Sequence, residues 1–464
     1  MKPTGRPGAE PPNSRRAPVR AIAARIVRQV SEGKAARTQL DNASGLEARE
    51  RALLTELVYG TVRHRETLEH LLEGTSSRPL EKLAPEVLAA LLVGAYQLVF
   101  LDHVPAPVAV SEAVESVKAP HLRGFVNGVL RSVGRLVAGR AAEDTPPPGV
   151  PATRRLPGRD GGWVLLAEDL LPDPEREPAS WLALATAHPE GLVRRWLPRF
   201  GFERTLEACR AGNAPPPLCV RANVLRTTRE ELLRELPGSR AGREAPEALY
   251  LEHAGDPSKV AAFQEGRFTV QDETAMLVAP VARPKRGSRV LDLCSAPGGK
   301  TTHLAELMGD EGTVVATDAD GSRLERVREN VARLGLRSVQ VCAGDVPPPP
   351  YDAVLVDVPC SNTGVLRRRV EVRSRVEGLE RAKLLALQQG LLRRARALLA
   401  PGGTLVYSTC SVEEDENEAQ VRSFLASEPG LSVREERFQL PVRGGGDGGY
   451  VAAICDLPSR AGTG

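Results

Sequence analysis

The 464-residue chain is poor in cysteine, lacks any long apolar run and carries almost no net charge. Its seven cysteines, Cys209, Cys219, Cys294, Cys342, Cys360, Cys410 and Cys455, form an odd, scattered set. They include no C-x-x-C pair and no histidines at ligand spacing, which argues against a disulfide framework and against zinc, so no metal is expected. No apolar stretch reaches the roughly 20 residues that a membrane helix needs. Residues 1–17 hold Pro, Gly, Asn and Arg without an apolar block, and read as a disordered basic tail instead of a secretory signal. A cytoplasmic protein without a membrane partner is the expectation. With 62 basic and 59 acidic residues the formal charge is +3, too small to mark a nucleic-acid binder by itself. Any basic surface has to be local. The dinucleotide fingerprint G-x-G-x-x-G is missing as well.

The chain does have length, and 41% hydrophobic residues, enough for two or three domains with proper cores. Residues 18–138 read as an all-α domain: Val19, Ile22, Ala23, Ile26, Val27 and Val30 recur at helical spacing, and Pro85 opens a long apolar helix. Residues 139–178 turn to Pro, Gly, Asp and Arg and read as a linker or insertion. In residues 179–283 a helical stretch carries Arg194, Arg195 and Arg199, which suit a solvated face. A small α+β subdomain follows, with strands at Leu218 and Phe268 and a helix capped by Thr228. Residues 284–456 alternate strand and helix as a doubly wound, Rossmann-like sheet, and 457–464 read as a tail.

Within that last domain, Val290-Leu-Asp-Leu-Cys-Ser-Ala-Pro-Gly-Gly-Lys300 is a strand breaking into a small-residue turn before a helix. Gly298 and Gly299 let bare backbone approach a ligand, and the helix start offers unpaired N–H groups. Asp318 ends the next strand about 20 residues beyond the last turn glycine, where a carboxylate can receive a ribose hydroxyl. An adenosine-type cofactor follows. Asp292, Asp318, Asp345 and Asp357 place one carboxylate at or near the end of each of four successive strands.

Two cysteines share that edge: Cys360 after Asp357-Val-Pro359 and Cys410 after Tyr407-Ser-Thr409. Ser411 and Glu414 suit a capping box on a helix beginning at Val412, which would set the Cys410 sulfur beside a helix N-terminus that favours thiolate, against the neighbouring glutamates. The arginines 367–369, 373 and 375 look too polar for core and could hold phosphates. Both sulfurs have plausible settings, and the residues alone do not say which attacks.

The stretches Leu291-Asp-Leu-Cys-Ser-Ala-Pro-Gly-Gly-Lys-Thr-Thr302, Asp357-Val-Pro-Cys-Ser-Asn-Thr-Gly364 and Tyr407-Ser-Thr-Cys-Ser-Val412 resemble those of the RNA cytosine-C5 methyltransferases, especially the bacterial 16S rRNA branch called RsmB, Sun or Fmu. Glu56 to Arg63, His103 to Ala106 and Val126 to Arg131 look like the NusB-like RNA-binding domain of that branch. The resemblance implies S-adenosyl-L-methionine as methyl donor, RNA and not DNA as partner, and a monomer. It implies Cys410 as the nucleophile, with Cys360 assisting release of the methylated base and Lys300 near the reaction centre. Cys294, Ser295, Ala296, Pro297, Gly298, Gly299 and Lys300 would hold the methionine end of the donor, Asp318 its ribose and Asp345 its adenine. Asp357 would lie beside the methyl group and the base. Transfer RNA as substrate, or a non-catalytic RNA-binding assembly factor, are the alternatives. The chain departs from the family pattern at Val358 and Asn362, where Ala and Gly are usual, and at Val370, Glu371, Ser374 and Gly191, where a Pro-Asp pair, a Trp and an aromatic are usual.

Overall fold

The computed structural model describes residues 18–252 and 255–457. The expected tail at 1–17 lies outside the described residues, as does the tail at 457–464 apart from Leu457. The chain divides into two compact units, Met1–Asp173 and Pro174–Gly464.

The first unit is mainly helical. Val19–Ser31, Ala36–Asp41, Ala48–Arg63, Arg65–Glu73, Pro85–Phe100, Ala106–Ser116 and Pro120–Leu136 are helices, and Pro85 stands in the first turn of the fifth, where its missing N–H costs nothing. That fifth helix is buried almost all round, as its unbroken apolar sequence demands. The segment after the seventh helix, expected as a linker or insertion, is folded. Val137–Ala141 (β1), Arg155–Pro157 (β2) and Trp163–Leu166 (β3) form an antiparallel sheet in the order β1-β3-β2, with Leu156, Trp163, Val164 and Leu166 buried. The Trp163 indole donates to the Asp144 carbonyl at 2.9 Å. The mostly exposed loop at 142–149 matches the impression given by the prolines. Strands three to five residues long are too short to show against that composition.

In the second unit the helices Pro178–Thr186 and Glu190–Asn213 come first, the latter kinked at Gly201 after Pro198. Leu218–Ala222 (β4), Ser239–Ala241 (β5), Ala248–Leu251 (β6) and Phe268–Val270 (β7) make an antiparallel sheet in the order β5-β6-β4-β7. Its helix Arg229–Glu235 starts at Thr228, whose hydroxyl accepts from the Glu231 N–H while the Glu231 carboxylate accepts from the Thr228 N–H.

The large sheet has seven strands: Arg289–Asp292 (β8), Thr313–Ala316 (β9), Val339–Val341 (β10), Tyr351–Asp357 (β11), Leu399–Thr409 (β12), Leu431–Gln439 (β13) and Gly449–Asp456 (β14), ordered β10-β9-β8-β11-β12-β14-β13. The first five are parallel, as the alternation of strand and helix requires; β14 pairs antiparallel with β12, and β13 with β14. Leu293, Val354, Val356, Leu392 and Phe424 pack on one face, and Val290, Leu304, Met308 and Leu355 on the other. Both faces are therefore covered, as a parallel sheet needs. The mixed polar β13 was not anticipated from its sequence.

Candidate active site

The site grows out of strand register. β11 and β12 are parallel neighbours with Asp357 opposite Ser408, so the chain leaves both strands at the same edge. Cys360 is three residues past the one and Cys410 one past the other, and their sulfurs lie 3.2 Å apart. β8 flanks β11 on its other side and delivers the Cys294–Gly299 turn. The helix Gly299–Leu307 follows, with Lys300 in its first turn.

Lys300 donates from Nζ to Asp357 Oδ2 at 2.7 Å, and the Ser408 hydroxyl donates to Oδ1 of the same carboxylate at 2.7 Å. Burial works against the Lys300 ammonium, but Asp357 and then Cys410 outweigh it and the group stays charged, its pKa raised. Ser408 was not singled out in the sequence, because a serine at a strand end has no distinguishing neighbours. Burial, with Asp357 adding and the Thr301 hydroxyl opposing at 2.6 Å, pushes Asp292 up to about 7. Burial pushes the Cys294 thiol up to about 12, which leaves it a packing group and not a nucleophile.

The cysteine loops are tied together from behind by one carboxylate. Glu416, 1% exposed, accepts from the Ser361 N–H at 2.8 Å, the Ser411 hydroxyl at 2.9 Å and the Gln388 amide at 3.2 Å. Here the structure corrects the capping expectation. No α-helix starts at Val412; a short 3-10 turn spans Glu414–Glu416 and the helix runs Glu418–Ala426. Ser411 accepts from the Glu413 N–H and reaches Glu416, while Glu414 points outward to Arg422. The helix-terminus argument for a Cys410 thiolate therefore does not apply. The hydrogen-bond partners of the Cys410 sulfur are Cys360 and the side-chain oxygen of Asn362, at 3.2 Å each. The Cys360 thiol is held well above its usual range, first by its hydrogen bond to Cys410 and then by burial.

Backbone meets backbone at the floor of the site. The Gly364 N–H donates to the Cys410 carbonyl at 3.0 Å and the Gly448 N–H to the Gly364 carbonyl at 2.8 Å. A Cβ on Gly364 would stand 2.3 Å from the Gly448 oxygen, so no side chain fits there.

The arginine run is largely internal, contrary to the phosphate-holding expectation. Arg367, fully buried, and Arg368 both grip Asp447; Arg368 also reaches Asp272 at 3.0 Å. Arg373, 6% exposed, donates to the Ala187 and Gly212 carbonyls, which leaves Arg369 and Arg375 exposed. Of the three arginines expected on a solvated face, Arg194 and Arg195 are exposed and Arg199 is half-buried, but Arg195 and Arg199 also make tertiary contacts. They fasten their helix to Glu413, Glu418 and the Val412 carbonyl, and the Trp196 indole donates to Glu413 at 2.7 Å. At the departure from the family pattern at Gly191, the backbone N–H donates to Glu377 at 2.9 Å, where a Cβ would stand 2.6 Å from that carboxylate.

A hollow meets this edge beside the β8 turn. Cys410 and Lys300 line a cavity of about 430 Å³ together with Asp272, Thr274, Asp447 and Tyr450. On the β8 side, the turn residues Ser295–Gly299 lie between Asp318 and the helix Leu324–Leu334. Asp318 accepts from the Ala296 N–H at 3.2 Å, and Arg323 bridges Asp318 and the Ala296 carbonyl. Asn330 donates to the Pro297 carbonyl at 3.1 Å. Gly298 has φ +101°, and a Cβ there would press on Val327 at 3.2 Å. The Ser295 hydroxyl is buried without a hydrogen-bond partner among the described residues, an orphan that a polar ligand would satisfy. Asp345 stands exposed in the loop after β10. Behind the turn, the buried Arg221 on β4 donates to the Gly299 carbonyl at 2.8 Å and pairs with Glu306 at 2.8 Å, fixing the helix that carries Lys300.

Among the described residues no helix is long and apolar enough to cross a membrane. The family model for 16S rRNA methyltransferase RsmB/F matches residues 279–446, the NusB family residues 17–135, and the ferredoxin-like domain of RsmF/B-like methyltransferases residues 188–257. The chain is 34% identical over 436 residues to a probable ribosomal RNA small subunit methyltransferase B of Bacillus subtilis, covering 87% of this chain and 90% of that one. It is 33% identical to ribosomal RNA small subunit methyltransferase B of Pseudomonas putida, over 97% of this chain and all of the relative. Among solved structures, a methyltransferase homologue from Pyrococcus horikoshii superposes with a TM-score of 0.52 at 26% identity, over 60% of this chain and 98% of its own. On this similarity along nearly its whole length, the chain belongs to the RsmB/F family of 16S rRNA methyltransferases.

Proposed function

We propose that the protein methylates carbon 5 of a cytosine in 16S rRNA, with S-adenosyl-L-methionine as donor and a covalent bond between Cys410 and carbon 6 of the base. The observation that carries this reading is the pair of sulfurs 3.2 Å apart, beside the Lys300–Asp357 pair. Cytosine carbon 5 is a weak nucleophile, and a thiolate bonded to carbon 6 makes it an enamine carbon able to take a methyl group. Cys294 to Lys300 would hold the methionine end of the sulfonium donor, Asp318 its ribose and Asp345 its adenine, and the donor would supply an electrophilic methyl group. Cys410 forms the bond to carbon 6, pushing an electron pair to carbon 5. After methylation, which uses that pair, the carbon-5 proton passes to solvent, its C–H bonding pair re-forms the C5–C6 double bond, and the carbon–sulfur bond breaks with its pair returning to Cys410 as thiolate. Cys360 assists that release. Asp357, oriented by Lys300 and Ser408, faces the reacting base. The domains at 18–138, 179–283 and 284–456 divide the labour: RNA affinity, a supporting α+β layer and catalysis, in a cytoplasmic monomer.

The test is trapping on RNA in which fluorine replaces the carbon-5 hydrogen of cytosine, so that elimination is blocked. A denaturation-stable protein–RNA adduct is expected with the intact protein, lost in Cys410→Ala and retained in Cys360→Ala. Absence of adduct in the intact protein, with RNA bound, would point to a binding protein that does no chemistry.

A further inference from the structure

The amide of Asn362 is fixed from one side. Its Nδ2 donates to the Cys360 carbonyl at 2.8 Å, a group that can only accept, so Oδ1 is turned to the Cys410 sulfur at 3.2 Å. The backbone at this position is left-handed, φ 63° and ψ 25°, which asparagine tolerates and glycine adopts freely. The Cys410 sulfur thus has two neighbours of opposite effect. The Cys360 thiol can donate to a Cys410 thiolate, whereas the amide oxygen can only accept. A Cys410 thiol satisfies that oxygen; a thiolate has no proton to give and faces its partial negative charge.

The charged groups around the sulfur do not remove this asymmetry. Lys300, from the helix after β8, favours the thiolate but is already paired with Asp357 at the end of β11. Glu416 stands behind the Cys360 loop, Glu436 and Arg437 line the cavity from β13 and Tyr450 from β14, and Glu244, Asp272 and Asp447 complete it, the two aspartates paired with Arg367 and Arg368.

We propose that Asn362 is a positioning residue that holds Cys410 as an aimed thiol in the resting protein and sets the pH at which it becomes a nucleophile. The choice of Cys410 as the attacking group rests on the function proposed above. The hydrogen-bond role of Asn362 does not need it.

The deciding variant is Asn362→Gly, which suits the left-handed backbone and removes the acceptor. The full-length protein, without RNA or donor, is alkylated with iodoacetamide across a pH series, and modification of Cys410 is read separately from Cys360 by peptide mass spectrometry. The Cys410 midpoint should fall by about one unit in Asn362→Gly, making alkylation near neutral pH roughly tenfold faster. In Asn362→Asp, a carboxylate at the same place should raise the midpoint. An Asn362→Gly midpoint equal to or above that of the unaltered protein overturns the proposal, since a purely conformational asparagine is replaced by glycine without moving a titration. So does a lowered midpoint in Asn362→Asp. Because no base is involved, failure here leaves the adduct experiment standing, and loss of the adduct leaves this one standing.

Discussion

Asp292 is a carboxyl group with one oxygen held by Thr301 and the other buried without a partner among the described residues. Its pKa of about 7 lies above the unfolded value, so folding favours the protonated form. The stabilisation is complete below the unfolded value of about 4 and is lost as the pH rises through about 7. The melting temperature of the unaltered protein should therefore drop between mildly acidic and mildly alkaline pH by more than that of Asp292→Asn, in which position 292 no longer titrates. Equal drops in scanning calorimetry would show that Asp292 ionises freely. At this scale the sequence was most informative where a residue type names its own chemistry. Cys360, Cys410, Lys300 and Asp357 stood out and lie together at one sheet edge, while Ser408 and the inward side chain of Asn362 depend on register and on a backbone angle that no spacing records.

The two cysteine loops behave as one element because Glu416 accepts hydrogen bonds from both. Glu416→Gln turns one acceptor into a donor facing other donors. A loss of about 1–3 kcal/mol in stability is expected, the range for leaving buried partners unsatisfied. Adduct formation should fall more steeply than stability, because the sulfurs lose their common anchor. Urea titration beside adduct yield on one preparation checks this, and a proportionate fall in both would reduce Glu416 to a packing role. Elements were legible where periodicity was strong, as in the parallel strands and the helix behind Thr228. They were misread where a local motif had a rival partner. The S-x-x-E spacing at Ser411 suggested a helix cap, yet the serine takes a glutamate two residues further on across a 3-10 turn. The arginine run looked like surface because the aspartates that bury it, Asp272 and Asp447, lie far away along the chain.

For the whole molecule, the division after Asp173 separates a helical unit matching the NusB family from a unit that contains both Cys360 and Cys410, the Cys294–Gly299 turn and its own cores. Residues 174–464 produced alone should melt cooperatively and still form the Cys410 adduct at high RNA concentration, with the RNA concentration for half-maximal adduct raised roughly tenfold or more by loss of basic and polar contacts. An unchanged concentration dependence would assign RNA affinity to the catalytic unit itself. The helical character of the N-terminal part and the strand–helix alternation of the large sheet could be read from periodicity, whereas the small β1–β3 sheet and β13 could not, their strands being too short or too polar to register. The reversal of β14 within the sheet also bears on Gly364 and Gly448. Because β14 returns beside β12, it brings Gly448 onto Gly364, so the reactive hollow is bounded there by peptide groups alone. The number of residues joining β13 to β14 is then a dimension of the catalyst: lengthening or shortening that connection would shift the wall without altering a single reactive atom.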